Sequence, residues 1–156
     1  MRTIVIGLGN PLLTDDGLGI KAAALLRQRL GGDSKVDVME AYTGGLDLME
    51  LMVGYGRAVV VDAVTTGHHR PGTLVELGLD DLLASRNSNS THHTSLAVAL
   101  ETGKLLGLEL PETVLFLGIE AGAANEFSEI LTAPVRKTLP LLVEQVLTAL
   151  ADEVAP

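Results

Sequence analysis

A glycine-rich turn near the beginning of the sequence ends in two adjacent carboxylates, Asp15 and Asp16. The turn, Gly7–Gly19, follows the apolar run Thr3–Ile6 and precedes a helical pattern, which is the strand-to-helix position where α/β proteins place chemistry. Glycine-rich turns at this position commonly bind phosphate, but two carboxylates repel phosphate and attract cations. An acidic residue in the first turn of a helix can also cap that helix. One carboxylate is enough for a cap, so the other is available to bind a positively charged group.

Asp62 and a pair of histidines are the other candidates for a site. Asp62 ends the apolar run Ala58–Val61, and a carboxylate at the carboxyl end of a buried parallel strand points into the crevice where such folds bind ligands. His92 and His93 lie in a polar loop directly before a predicted helix, whose N-terminus faces the same crevice. Asp16, Asp62 and one of these histidines could therefore converge on a borderline divalent cation. The alternatives are a turn-capping aspartate and two exposed histidines without a function.

The glycine spacing of the opening turn does not complete a dinucleotide-binding fingerprint. Gly7 and Gly9 match its first two glycines, but the third position needs a small residue for close approach of the helix. The sequence has Leu12 there, and the turn is too long before helical periodicity begins. We therefore expect no nucleotide cofactor.

The composition limits the class of partner and the compartment. The chain has 156 residues, 47% of them apolar, which suits one domain with a sizeable core. A net charge of −9 and an aromatic content of 3% argue against phosphate contacts and base stacking, so we expect no nucleic-acid partner. The absence of cysteine excludes disulfides and cysteine-based zinc sites. With neither a charged leader nor a long apolar run, we expect a cytoplasmic monomer that does not enter a membrane.

Hydrophobic periodicity predicts alternating strands and helices along the whole chain. The predicted strands are Thr3–Ile6, Val36–Met39, Ala58–Ala63, Gly72–Leu77 at a sheet edge, and Thr113–Ile119. The predicted helices are Leu18–Leu30, Gly45–Val53, Ser95–Leu106 and Ser128–Val154, with a short helical turn over Asp80–Ala84 and a polar loop over Ser85–Thr94. The alternation predicts an α/β fold class. We expect a single three-layer α/β/α domain, phosphorylase- or hydrolase-like, with a mostly parallel twisted sheet of about five strands.

Five blocks of the sequence, in order, resemble the hydrogenase maturation endopeptidases. They are IVIGLGNPLLTDDGLGIKAA, TGGLDLMELMVGYGRAVVVDAV, PGTLVEL, STHHTSL with GKLLG, and FLGIEAG. These blocks extend over nearly the whole length, so the resemblance implies a single hydrogenase maturation protease domain. It also implies an activity: removal of the C-terminal extension from the large-subunit precursor of a nickel-containing hydrogenase.

The resemblance also assigns residues to a metal site in the crevice. In that family an acid of the opening loop, an aspartate at a strand end and a histidine bind the metal. These positions correspond to Asp16, Asp62 and His92, with Asp15 and His93 as alternates. His92 is preferred because it precedes the small residue Ser95 by three positions. Position 16 carries Asp where some relatives have Glu, and the segment before Thr43 lacks an Asp-Gly pair that some relatives have.

The resemblance implies an enzyme without a metal of its own, since the nickel is already placed in the precursor. Binding of that nickel by Asp16, Asp62 and His92 means that only loaded precursors are cut. With no cysteine and no Ser-His-Asp set in the sequence, we expect water to be the nucleophile. Either Asp16 or Asp62 accepts its proton as a catalytic base, or the metal polarises the carbonyl and the water.

Two other functions remain open at the level of the sequence. A nickel carrier or maturation checkpoint protein would use the same three residues without cutting anything. A peptidyl-tRNA hydrolase opens with a similar strand and Gly-Leu-Gly-Asn-Pro turn, but its turn continues into a catalytic segment with a histidine. Here that stretch reads Leu13-Thr14-Asp15-Asp16-Gly17, and the net charge of −9 is unsuitable for binding tRNA.

Overall fold

The computed structural model describes residues 1–78, 80 and 91–152, and for residues 91–95 it describes the backbone alone. The strands are β1 (Thr3–Leu8), β2 (Val36–Ala41), β3 (Arg57–Val64), β4 (Leu74–Gly78) and β5 (Thr113–Glu120). The helices are α1 (Leu18–Leu30), α2 (Gly45–Met52), α3 (Thr91–Leu105) and α4 (Ala133–Ala151), with a 3-10 turn at Thr14–Gly17. Apart from Asp80, the predicted turn over Asp80–Ala84 lies outside the described residues, as does the predicted loop up to Ser90.

The described strands form one sheet in the order β2-β1-β3-β5-β4. Strands β2, β1, β3 and β5 run parallel, and β4 pairs antiparallel with β5. The edge position of β4 is the one that the alternating polarity of Gly72–Leu77 predicts, whereas its antiparallel direction was not predicted. The register places Gly7 beside Val61, and Asp62 beside Gly118. The carboxyl ends of the three central strands therefore meet at one edge, which is where the candidate residues lie.

Helices cover both faces of the sheet, which confirms the predicted α/β/α fold class. One core layer contains α2 and α3, and its buried side chains include Ile6, Leu48, Val60, Leu96 and Phe116. The other contains α1 and α4, and includes Val5, Leu26, Val61, Leu142 and Val146. The aliphatic side chains form near-continuous buried runs in the central strands, as expected for parallel strands covered on both faces. Among the described residues, no helix is long and apolar enough to cross a membrane.

Two helices begin several residues away from the start that the sequence predicts. The helix predicted from Ser95 begins at Thr91, so the polar-loop prediction is wrong for residues 91–94, and His92 and His93 lie in the first turn of α3. Polar residues are common in a first helical turn, so polarity alone did not separate it from a loop. The helix predicted from Ser128 begins instead at Ala133, with Pro134 in its first turn, where proline is tolerated.

Glycines in the opening block allow α1 to approach the sheet very closely. A Cβ on Gly7 would lie 2.1 Å from the carbonyl oxygen of Gly19, and one on Gly19 would lie 2.2 Å from that of Leu8 and 2.5 Å from that of Val61. Gly9 has a φ of +152°, and a Cβ there would lie 1.9 Å from the carbonyl oxygen of Asp16. These glycines serve backbone geometry at the end of β1, as their position in the turn predicts.

Gly19→Ala should therefore destabilise the protein, although Gly→Ala inside a helix is usually favourable. Its methyl group would meet backbone atoms that cannot move aside, so we expect unfolding to require about 2 kcal/mol less free energy. Gly103→Ala in α3 is the matched control, since its nearest atom is the end of the flexible Leu110 side chain at 2.7 Å. Urea unfolding of both variants measures the difference, and equal losses would contradict the close-approach explanation.

Candidate functional site

The 3-10 turn after β1 begins with a strained residue. Thr14 has a φ of +51°, which is unusual for a β-branched residue. Two contacts to the segment before α4 hold it there. Its amide donates to the Ser128 carbonyl at 2.8 Å, and its hydroxyl donates to the Glu126 carbonyl at 2.6 Å. The carboxylates that follow have separate partners on different parts of the chain.

Asp15 is fully buried and joins the opening turn to the segment before α4. One carboxylate oxygen accepts from the amides of Gly122 and Ala123 at 2.8 and 2.9 Å and from the Thr132 hydroxyl at 2.7 Å. The other accepts from the Thr132 amide at 2.8 Å. Asp15 makes no capping bond to α1, whose N-cap is Gly17, so the cap that the sequence suggested for one of the two carboxylates is not made by Asp15. With four donors on its two oxygens, Asp15 is also a poor candidate as an alternate metal ligand.

Asp16 is only partly buried and faces the edge of the sheet. Its Oδ2 accepts a hydrogen bond from the Asn10 amide at 2.9 Å, which fixes the side chain across the turn. The negative charge of Asp16 is close enough to Asp62 to raise the pKa of that carboxyl. The two aspartates that the sequence places 46 positions apart are therefore electrostatic neighbours.

Asp62 lies near the end of β3 and is 2% exposed. Because side chains alternate along a strand, it is on the same face as Val60 and Val64, which belong to the core layer of α2 and α3. Its Oδ1 accepts from the Ala63 amide at 2.8 Å. Burial raises the pKa of Asp62 well above its usual range, and the charge of Asp16 raises it further, although the Ala63 hydrogen bond lowers it.

The histidine candidates lie at the N-terminus of α3, on the same face of the sheet as Asp62. Since α3 leads into the amino end of β5, its first turn lies toward the carboxyl edge of the sheet. Leu96 and Ala99 of α3 are buried in the core layer, and position 92 precedes Leu96 by about one turn. The side chains of His92 and His93 lie outside the described residues. Among the side chains that are described, no three acidic or imidazole groups form a metal-binding cluster.

Glu120 is a further buried acid at this edge, and it was not among the residues predicted for the site. Burial raises the pKa of Glu120, but hydrogen bonds from the Thr66 hydroxyl and amide and from the amides of His69 and Gly67 outweigh that effect and lower it. Glu120 therefore fixes the loop that follows β3. The sequence does contain a signal for Glu120, because this acid directly follows the buried strand Thr113–Ile119. The same kind of signal, an acid at the end of a buried strand, identified Asp62.

Asp16 and Asp62 lie together at the carboxyl ends of β1 and β3, and we call this edge of the sheet the acidic crevice. Asp16 and Asp62 bring two carboxylates together, and α3 brings the backbone of His92 and His93 to the same face. No lysine or arginine of the described residues forms an ion pair with either aspartate. Neighbouring carboxylates without a cationic partner are suited to bind a cation or to exchange a proton with a reactant.

Comparison with known proteins identifies the family. Residues 20–149 match the family model described as hydrogenase maturation protease, HycI; this range contains Asp62 and His92 and begins just after Asp16. The chain is 29% identical to the hydrogenase 2 maturation protease of Escherichia coli strain K12, over 97% of this chain and 92% of that protein. It is 28% identical to the hydrogenase expression/formation protein HupD of Rhizobium leguminosarum bv. viciae, over 92% of this chain and 71% of that protein.

The solved structures agree with this assignment. The hydrogenase maturating endopeptidase HybD from E. coli superposes with a TM-score of 0.85 at 28% identity, over 99% of this chain and 94% of that chain. The superposition extends over nearly the whole chain, so the similarity is not limited to a shared fold element. The chain therefore belongs to the hydrogenase maturation protease family and is a hydrolase of the peptidase class.

Proposed function

We propose that this endopeptidase of hydrogenase maturation removes the C-terminal extension from the large-subunit precursor of a nickel-containing hydrogenase. The precursor's nickel is the feature that the enzyme recognises, and Asp16, Asp62 and His92 bind it. The names of the relatives support a role in hydrogenase maturation, and the acidic crevice supplies the chemistry for a cation. The nickel belongs to the substrate, so the enzyme needs no metal of its own.

The pairing of Asp16 with Asp62 is the observation on which this proposal depends. Burying one carboxylate beside another is unfavourable unless a cation or a proton compensates the charge. Folded proteins keep such arrangements mainly where they have a function. A nickel ion carried in by the precursor would neutralise the pair, and its affinity for carboxylate and imidazole ligands matches the residues at this edge.

His92 is the proposed third ligand, and His93 is its alternate. Position 92 precedes Leu96 and Ala99 by about one and two turns, which places it on the stripe of α3 that faces the sheet and α2. The first turn of α3 lies on the face of the sheet on which Asp62 also lies. Substrate nickel held by side chains from three separate elements would fix the position of the adjacent peptide bond.

Hydrolysis of that bond is proposed to use a water molecule as the nucleophile. One carboxylate, Asp16 or Asp62, accepts the proton of the water as it attacks the carbonyl carbon, and the leaving amine then gains a proton. Alternatively, the substrate's nickel polarises the carbonyl and the water, and the carboxylates only hold it. In both forms the opening turn and β3 must keep their present separation.

A cleavage assay separates the peptidase from a carrier that binds nickel without cutting. Purified nickel-loaded precursor is incubated with a tenfold smaller amount of enzyme, and intact mass spectrometry follows the precursor. Repeated turnover with loss of a C-terminal peptide supports the peptidase. Stoichiometric binding without any change in mass would support the carrier.

His92→Ala should abolish cleavage, whereas His93→Ala should leave it within a few fold of the wild type. His92 is a proposed direct ligand, so its loss should weaken binding of the substrate's nickel by more than the roughly ten- to hundredfold that loss of an outer-shell partner costs. The two variants are matched controls for each other, since both lie in the first turn of α3. The reverse result would assign the ligand to His93, and normal cleavage by both variants would remove α3 from the site.

A further inference from the structure

Three exposed apolar side chains lie beside the acidic crevice. They form what we call the rim patch: Leu12, Phe127 and Ile130, which are 52%, 89% and 67% exposed. Phe127 is one of only two phenylalanines in the sequence, and the other, Phe116, is buried. A solvent-exposed aromatic side chain next to a site is typical of a surface that contacts a partner.

Backbone pairing brings the parts of the rim patch together. Leu13 forms a parallel bridge with Ser128, in which the Ser128 amide donates to the Leu12 carbonyl at 3.0 Å and the Thr14 amide donates to the Ser128 carbonyl at 2.8 Å. Pairing of 13 with 128 places position 12 beside position 127. The Ile130 amide donates to the Ser128 hydroxyl at 3.1 Å, which keeps Ile130 close to the same bridge.

The rim patch is also held rigidly in relation to the crevice. Asp15 binds amides on both sides of it, at Gly122 and Thr132, and Asp16 is the next residue along the chain. A surface fixed in advance loses little conformational entropy when a partner binds. The rim patch and Asp16 therefore belong to one preorganised unit.

The charges around the patch indicate the chemistry of its partner. Glu126 and Glu129 are both exposed and flank Phe127 along the chain, and the whole protein carries a net charge of −9. A complementary surface would present apolar side chains flanked by lysine or arginine. The bridge between Leu13 and Ser128 joins the patch to the turn that carries Asp16, so the patch is continuous with the surface at which the proposed reaction occurs.

We propose that the rim patch is the docking surface for the hydrogenase precursor, which contacts it through an apolar segment flanked by basic side chains near the cleavage site. This inference rests on the proposed function, because it takes the precursor as the substrate. Docking at the rim positions the extension over Asp16 and Asp62. It adds recognition of the polypeptide to the recognition of nickel.

Phe127→Ser tests the proposal, with Leu105→Ser as the matched control. Leu105 is 88% exposed, nearly as much as Phe127, but lies at the far end of α3, away from the crevice. Phe127→Ser should raise the KM for nickel-loaded precursor tenfold or more and weaken binding by the same factor, since aromatic anchors dominate interfaces. The kcat at saturating precursor should change less than twofold. Leu105→Ser should match the wild type in every measurement.

Binding of the nickel-loaded precursor is measured by calorimetry as well as by cleavage, so that docking and catalysis can be judged separately. Equal binding by wild type and Phe127→Ser would overturn the docking surface, whether or not the wild type cleaves. Binding that depends on Phe127 without any cleavage would uphold the surface and overturn the peptidase. A dimer that dissociates on Phe127→Ser, with precursor binding unchanged, would assign the patch to self-association and also overturn the proposal.

Discussion

Asp62→Asn is expected to abolish precursor cleavage while leaving the protein at least as stable as the wild type. The amide can keep the hydrogen bond from Ala63, because its oxygen can replace Oδ1 of the carboxylate. It removes a charge that is buried beside Asp16, and it removes a proposed ligand and base. A loss of about a thousandfold or more in kcat/KM is expected for a group of this kind. The cleavage assay and thermal unfolding measure the two effects on the same sample.

The stability of Asp62→Asn relative to the wild type should depend on pH, in a direction that follows from the raised pKa of Asp62. The pKa of Asp62 is raised in the folded protein, so the native state binds more protons than the unfolded chain, and stability falls as pH rises above the ordinary value of 3.8. Asp62→Asn cannot lose stability in this way. The difference in free energy of unfolding between this variant and the wild type should therefore grow from pH 4 to pH 8. Glu120→Gln is the opposite control. Because the pKa of Glu120 is lowered, that variant should be destabilised at neutral pH, and the deficit should shrink in acid. If Asp62→Asn were less stable than the wild type at pH 8, the conclusion that the buried charge of Asp62 destabilises the fold would be contradicted.

Alanine substitution of Asp15 and of Asp16 should affect different properties, although the two residues are adjacent. Asp15→Ala removes a fully buried carboxylate and leaves four partly buried donors without their acceptor, which should lower the free energy of unfolding by about 3 kcal/mol or more. Asp16→Ala loses one hydrogen bond, from Asn10, at a partly exposed position, and should lower it by about 1 kcal/mol. Asp16→Ala should nevertheless abolish cleavage, because Asp16 is a proposed ligand and Asp15 is not.

Urea unfolding and the cleavage assay together distinguish these roles. Asp15→Asn is the conservative companion variant, since one side-chain oxygen remains to accept from the amides, and it should recover part of the stability. At a temperature where Asp15→Asn is folded, we expect residual cleavage, whereas Asp16→Asn should have none. A stable Asp15→Ala protein, or an Asp16→Ala protein that cleaves normally, would show that the assignment of the two carboxylates is reversed or wrong.

The role of Asp15 shows what sequence patterns could not predict. Its partners, Gly122 and Thr132, are 107 and 117 positions away, so a pattern read along the chain offered only the local alternative of a helix cap. The same long-range contacts explain the error at the start of α4, since Ser128 pairs with the opening turn instead of beginning a helix. Contacts between distant parts of the chain therefore determined both the role of Asp15 and the start of α4.

Asp62 was predictable because its signal is local. The apolar run Ala58–Val61 indicated a buried strand, and the acid that ends it was therefore expected at the edge of the sheet where ligands bind. The alternation of strands and helices predicted a mostly parallel sheet, and the polarity pattern of β4 predicted its edge position, but the order β2-β1-β3-β5-β4 was not predicted. The proximity of Asp16 to Asp62 depends in addition on the close contacts of Gly9 and Gly19, which hold the opening turn against the sheet.

The most direct test of the central claim compares nickel-loaded with nickel-free precursor as substrates for the wild-type enzyme. Intact mass spectrometry over a time course measures the loss of the C-terminal extension, with Asp62→Asn as the inactive control. Because the acidic crevice has no cationic partner among the described side chains, we expect cleavage only when the precursor supplies nickel. The loaded precursor should lose its extension with repeated turnover, and the nickel-free precursor should remain intact. Equal cleavage of both forms would contradict nickel recognition by Asp16, Asp62 and His92.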